Sequence, residues 1–216
     1  MGAVGVILAA GGGSRMGRPK AGLVYRGEPL ISRAVRTAFA GGCESVLAVL
    51  GAEVEHAGPL AEAEGADVLV NAAWAEGMGG SLRAGLDAID EMDAIDAIGA
   101  INALDAAEPP AAVASAALVL LVDQPHITAA AVAAVLSAQR NPAYDAVLAA
   151  AVYEGVRGHP VLLGRAHWPA LRPTLRGDVG ARGYLRQHRA ELILVPCETL
   201  ADPRDLDRPE DLETLG

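Results

Sequence analysis

The apolar run Ala3-Val4-Gly5-Val6-Ile7-Leu8-Ala9-Ala10 leads directly into Gly11-Gly12-Gly13, and then into Ser14-Arg15-Met16-Gly17-Arg18-Pro19-Lys20. This junction constrains the fold more than any other segment. The run reads as a buried strand, and the glycines after it let bare backbone approach a ligand, since they lack a Cβ and reach positive φ cheaply. Successive N–H groups in such a loop form a concavity suited to anions. Arg15, Arg18 and Lys20 add three cations within six residues of a chain whose formal net charge is -10. A local basic, glycine-rich loop in an acidic chain points to a phosphate, against the alternative of a plain turn with a basic edge. Two familiar phosphate loops do not fit. Gly12 and Gly17 have the spacing of G-x-x-x-x-G-K-[ST], but Arg18 and Pro19 stand at its Lys and Ser/Thr positions. Gly11 and Gly13 begin G-x-G-x-x-G, but Met16 stands at its third glycine.

Downstream, short apolar runs alternate with helical periodicity. Strands are predicted at Ala3 to Ala9, Ser45 to Leu50, Asp67 to Val70, Ala117 to Val122, Asp145 to Val152 and Leu192 to Val195. Helices are predicted at Pro29 to Ala40, Glu53 to Glu64, Ser81 to Ile89, Thr128 to Gln139, Val179 to His188 and Glu210 to Leu215. Leu82, Leu86 and Ile89 give one apolar stripe at helical spacing, and Thr128 suits an N-cap. Near-continuous apolar strands alternating with helices imply an α/β fold with a mostly parallel sheet covered on both faces. The segment Asp93 to Ser115 interrupts the scheme and reads as a helix continuing past Ile89, followed by a surface loop.

At 216 residues one domain spanning 1–216 is expected, long enough for a substantial core. Aromatics make up only 3% against 52% hydrophobic residues, so that core is built from Ala, Val, Leu and Ile. No apolar stretch reaches the ~20 residues that span a membrane, and the N-terminus lacks the basic region of a signal peptide. Cys43 and Cys197 lie far apart, as inert thiols of a cytoplasmic protein do. The acidic balance argues against nucleic acid as a partner.

Five further segments carry chemistry. Asp123 follows the apolar run Leu118 to Val122, and Pro125 stops that strand, so its carboxylate emerges at the edge where α/β sheets bind ligands. A carboxylate beside a bound phosphate suits Mg²⁺, a cation that prefers oxygen ligands; the alternative is a turn or capping Asp. Asn71-Ala72-Ala73-Trp74-Ala75-Glu76-Gly77-Met78-Gly79-Gly80-Ser81-Leu82 places glycines and Ser81 before a helix, where free N–H groups meet polar ligands. Trp74 reads as ordinary core. Gly155-Val156-Arg157-Gly158-His159-Pro160 and Gly177-Asp178-Val179-Gly180-Ala181-Arg182 follow, with Asp178 equally suited to capping a helix. Asp205-Leu206-Asp207-Arg208-Pro209-Glu210-Asp211-Leu212 lies near the C-terminus.

Together these segments resemble the MobA-like NTP transferase family, the nucleotidyltransferases of the molybdenum-cofactor type. The loop follows L-A-x-G-x-[GS]-x-R-[ML]-G-x-x-K, and the other segments follow N-x-x-W-x-x-G-M-x-x-S-L, D-Q-P, G-x-R-G-H-P-V-L, G-D-x-G-A-R and D-I-D-T-P-E-D. Arg208 departs from the usual Thr of the last, which puts a cation near Asp207 that can pair with Asp205 or reach a phosphate. The resemblance implies a three-layer sandwich with a Rossmann-like sheet, of the nucleotide-diphospho-sugar transferase type. It implies a nucleotide site made by Leu8, Ala9, Ala10, Gly11, Gly12, Gly13, Asn71 and Ser81, with Arg15, Lys20 and Asp123 catalytic. It implies Mg²⁺ on Asp123 and Asp207, and an acceptor contacted by His159 and Asp178, in preference to His56, His167 or His188. Ala9-Ala10-Gly11, D-Q-P and R-G-H-P-V-L resemble the cytidylyltransferase branch, which implies CTP and a phosphate-bearing acceptor such as molybdopterin. Two alternatives accompany it. Some family members are described as NAD(P)H-dependent oxidoreductases acting on a pigment from nicotine breakdown. A protein of this kind can also deliver a cofactor to a partner such as a molybdenum hydroxylase.

Overall fold

The computed structural model describes residues 2–102, 113–138 and 144–214, with the backbone alone for 96–102 and 144. The strands are β1 (Ala3–Ala9), β2 (Val24–Tyr25), β3 (Glu28–Pro29), β4 (Ser45–Leu50), β5 (Asp67–Val70), β6 (Ala116–Leu121), β7 (Leu148–Tyr153), β8 (Val156–Gly164) and β9 (Ile193–Pro196). The α-helices are α1 (Leu30–Ala40), α2 (Val54–Ala63), α3 (Met78–Asn102), α4 (Ala129–Leu136), α5 (Trp168–Leu171), α6 (Arg182–Gln187) and α7 (Asp211–Thr214). Among the described residues, seven strands form one sheet in the order β5-β4-β1-β6-β8-β7-β9. Only β8 runs against its neighbours, β6 and β7. β1 lies near the middle, with Val6 beside Leu47 of β4 and Val119 of β6.

The alternation of side chains along each strand makes the three layers. Ile7, Ala9, Val46, Ala48, Leu50, Leu118 and Leu120 face a core shared with α1, α2 and α4. Val6, Leu8, Leu47, Val49, Ala117 and Val119 face a second core, shared with α3, α5 and α6. Both faces are covered, which is why the strands read as continuous apolar runs. Small residues let the layers approach closely: a Cβ on Gly5 would lie 3.2 Å from both Ala38 Cβ and Cys43 Sγ. Cys43 and Cys197 are free and buried, and burial pushes the Cys43 thiol up to about 12. Among the described residues no helix is long and apolar enough to cross a membrane.

Thr128 caps α4 as expected, its hydroxyl accepting from Ala131 N at 3.2 Å. The stripe at Leu82, Leu86 and Ile89 is buried, but α3 begins earlier, at Met78, and continues through Asn102. The expected continuation of that helix is therefore present; the rest of the expected loop, 103–112, lies outside the described residues. Acids on this helix answer arginines opposite. Arg165 pairs with Asp90 and Asp93, and Arg172 pairs with Asp90 and, at 2.7 Å, with Asp87. Both guanidiniums lie over the buried Trp168 ring. The structure differs from expectation at β8, which the sequence pattern does not announce as a strand. Its ladder with β7 shifts register between Ala150 and Val152, opposite the Gly158-His159-Pro160 stretch. Pro160 lacks an N–H for the ladder, so the strand passes through an irregularity and resumes.

Candidate active site

The carboxyl ends of β1 and β6 open into a cleft of about 670 Å³. Leu8 to Arg15, Lys20, Trp74, Ala75, Gly77, Met78, Ser81, Leu121 to Asp123, Asp178, Asp205 and Asp207 line it. The loop after β1 folds back on itself. Gly13 has φ 64, and its Cα sits so close to Arg18 that a Cβ would lie 1.8 Å from the Arg18 carbonyl oxygen. Met16 is buried and pins the loop to the core, while the bond from Leu23 N to Lys20 O closes its end at 3.0 Å. Chain reversal thereby aims Lys20 back across the cleft, although it stands 11 residues beyond the strand's last residue, Ala9.

Two distant segments supply the carboxylates. Asp123 follows β6, and its carbonyl accepts from Leu206 N at 2.8 Å. Leu206 is fully buried, so it anchors the C-terminal segment while its neighbours Asp205 and Asp207 line the cleft. The Asp211 carboxylate accepts from the backbone N–H groups of Asp207 and Arg208 at 2.8 and 2.7 Å, which fixes the approach of Asp207. Lys20 Nζ donates to Asp123 Oδ2 at 2.8 Å and to Asp207 Oδ1 at 2.7 Å. Arg15 Nη1 reaches the other Asp207 oxygen at 2.5 Å. Burial opposes the charge on Lys20, but Asp123 and Asp207 outweigh it and raise its pKa. The bond from Lys20 foremost, aided by Arg15, holds the Asp207 carboxyl below the usual range. Asp205 differs: loss of water around its carboxyl and the charges of Asp123 and Asp207 raise it, against the bond from Gln124.

The structure brings Arg15, Lys20, Asp123 and Asp207 together, with Leu8 to Gly13, Ser81 and Asp178 around them. It does not bring Asn71 to the cleft wall. Asn71 is buried, donates to Ser81 Oγ at 3.0 Å and accepts from Ala73 N at 3.0 Å, so its amide closes the turn that presents Ser81. His159 is also absent from the cleft lining. It lies on β8 just beyond the last β6 pairing, Val119 with Val161. Two cleft residues escaped the sequence pattern. Trp74, expected in the core, is half-buried and lines the cleft, with its indole 3.0 Å from a Gly12 Cβ position. Asp205, one of the two partners open to Arg208, accepts from Gln124 Nε2 at 2.8 Å. The polar–apolar alternation of Asp205-Leu206-Asp207 is the signal that places both acids on one side.

Burial, then the charges of Arg182 and Arg157, lower the His159 pKa from 6.5 to about 4. This imidazole is therefore neutral at neutral pH. Its folded value lies below its unfolded one, so between them the unfolded chain binds the extra proton. The stability this gives is present above pH 6.5 and is lost as pH falls towards about 4. The His159→Gln variant is expected to lose less of its thermal midpoint than the native chain on going from pH 7 to 4.5, in parallel melting curves. Equal losses would assign the acid sensitivity to other groups.

The donor set suits a hard cation. Asp123 and Asp207 each direct an oxygen at the same point, now held by Lys20 Nζ. Among the described residues no group of three or more His, Cys, Asp or Glu side chains could hold a metal ion. Two carboxylates with the remaining positions left to water and substrate phosphate is the usual arrangement for Mg²⁺.

A Rossmann-like sheet here carries, at its strand ends, a glycine loop, two cations and paired carboxylates around one cleft, the arrangement of a nucleotidyltransferase family. The chain belongs to the MobA-like NTP transferase family, whose model matches residues 5–192. It is 36% identical over 217 residues to the nicotine blue oxidoreductase of Paenarthrobacter nicotinovorans, covering 98% of this chain and 95% of that one. Its fold matches a nucleotidyl transferase from Methanothermobacter (TM-score 0.72, 16% identity, 99% of this chain and 95% of that one). It also matches Rv0371C of Mycobacterium tuberculosis in complex with manganese (TM-score 0.71, 21% identity, 100% and 98%).

Proposed function

We propose that this protein transfers CMP from CTP to a phosphate-bearing acceptor of the molybdopterin type, with Mg²⁺ held by Asp123 and Asp207. The observation that carries this reading is the meeting of Lys20 with both carboxylates at the mouth of the glycine loop. An acceptor phosphate oxygen forms a bond to the α-phosphorus, the bond from that phosphorus to the bridging oxygen breaks, and pyrophosphate leaves with the electron pair. The acceptor is already an anion, so no general base is required. Backbone N–H groups of Gly11, Gly12 and Gly13 hold the triphosphate. Arg15 and Lys20 turn to the β- and γ-phosphates and neutralise the departing pyrophosphate. The bound dication supplies charge neutralisation at the α-phosphate. Positioning and preorganised charge then lower the barrier. Ser81, oriented by Asn71, faces the nucleoside, and Asp178 faces the acceptor. Neutral His159 lies beside Arg157 and Arg182, which favour an anionic acceptor.

CTP with Mg²⁺ is expected to raise the melting temperature more than GTP with Mg²⁺ does. An equal or reversed order sinks the choice of base. The identity to nicotine blue oxidoreductase supports a second reading, an NAD(P)H-dependent oxidoreductase of the nicotine blue type. Loss of NADH or NADPH absorbance without pyrophosphate release would favour that reading, and pyrophosphate release alone would favour transfer. Delivery of the product to a molybdenum hydroxylase is compatible with transfer and is read by pull-down of that enzyme.

A further inference from the structure

We propose that Lys20 makes the Asp123–Asp207 pair a conditional metal site, which takes a divalent cation only when a triphosphate draws the ammonium away. This rests on the nucleotide reading above. Lys20 Nζ is bound to one oxygen of each carboxylate, at 2.8 and 2.7 Å. A dication takes carboxylate oxygens at about 2.1 Å, so any position that serves both oxygens lies on or beside the ammonium. Two positive centres so close in a half-enclosed cleft exclude each other. The Lys20 side chain is only 13% exposed, so it cannot simply turn out into bulk water.

Lys20 therefore needs another anion before it releases the pair. The Gly11 to Gly13 backbone lines the same cleft, and the nucleotide reading puts the triphosphate there. Charge points the same way. Asp123, Asp178, Asp205 and Asp207 line the cleft against Arg15 and Lys20, so each cation already has carboxylates to answer and the lining is acidic. A dication without a triphosphate would displace the ammonium from both carboxylates that now hold it. A triphosphate arriving with the dication supplies the anion that the displaced ammonium then meets. Arg15 can follow Lys20, because its side chain is 68% exposed and tied to Asp207 alone among the described carboxylates. Lys20 thus acts as a positioning residue for the carboxylates and as a gate on metal entry, besides its contact with phosphate.

The test titrates Mn²⁺ into the full chain without nucleotide and reads free Mn²⁺ by electron paramagnetic resonance. Lys20→Met and Lys20→Gln are each expected to bind Mn²⁺ roughly tenfold or more tightly than the native chain, because the competing charge is gone. Lys20→Arg should stay near native. Adding Asp123→Asn to Lys20→Met should abolish the gain, which locates it at this pair. If neither neutral variant binds Mn²⁺ more tightly while circular dichroism shows both folded, the proposal is overturned. A non-hydrolysable CTP analogue should tighten Mn²⁺ binding to the native chain far more than to Lys20→Met. An analogue without effect on any chain overturns the nucleotide reading, and the comparison in its absence still decides the exclusion.

Discussion

Asp123→Asn is expected to cut pyrophosphate release about a hundred- to a thousandfold, the scale on which a lost preorganised electrostatic contact acts. The folded state should be nearly unaffected. Asn keeps the size of Asp, and the bond that ties the C-terminal segment to this position uses the Asp123 carbonyl, not its side chain. Lys20 still has Asp207, and Leu206 still fills its buried position. What disappears is one of the two negative oxygens that converge at the loop. A neutral amide cannot replace it as an ion ligand, nor attract Lys20 as strongly before nucleotide arrives. The check is a coupled pyrophosphate assay with CTP and Mg²⁺, alongside a thermal melt of the same preparation. Retained turnover with an unchanged melt removes Asp123 from the reaction.

The position of Asp123 was legible because the strand before it is. Leu118 to Val122 is apolar on both faces, as a strand between two helical layers must be, and the Asp is the first polar residue after it. The same logic gave β1, β4 and β5, whose bounds are those expected. It failed at β8, where glycine, histidine and proline interrupt the run and the pairing that rescues them is supplied by β6 and β7. The site was partly legible for a similar reason. The loop and the carboxylates announce their chemistry by residue type. The partnership of Lys20 with both carboxylates spans 103 and 187 residues of sequence, and nothing local encodes it. Asn71 and Ser81 share a motif, yet only folding shows that one spends its amide on the other. Trp74 was ambiguous in principle, since a large aromatic beside glycines suits a core as well as a cleft wall.

Gly13→Ala is expected to lower nucleotide affinity about a hundredfold, the loss that a misplacement of around 1 Å produces in a positioned site. The residue adopts φ 64, a conformation that costs an L side chain roughly 1–2 kcal/mol. The larger obstacle is steric. An added Cβ would lie 1.8 Å from the Arg18 oxygen and 2.7 Å from its carbonyl carbon, both backbone atoms. No rotamer change relieves that contact, so the segment from Arg18 to Lys20 must move away. Lys20 then loses its hold on Asp123 and Asp207. The cores are untouched, because Ile7, Leu118 and Leu162 lie in the sheet beneath the loop. A cooperative melt should therefore survive. Gly11→Ala separates the two uses of glycine here. Nothing lies within 4 Å of a Cβ at Gly11, so the free protein accommodates alanine without rearrangement. Any loss of CTP binding in that variant reports the approach of ligand to backbone, whereas loss in Gly13→Ala reports deformation of the loop. Isothermal titration of CTP into both variants distinguishes the two. Native affinity in Gly13→Ala would show that the fold-back of the loop onto Arg18 is not what places the phosphates.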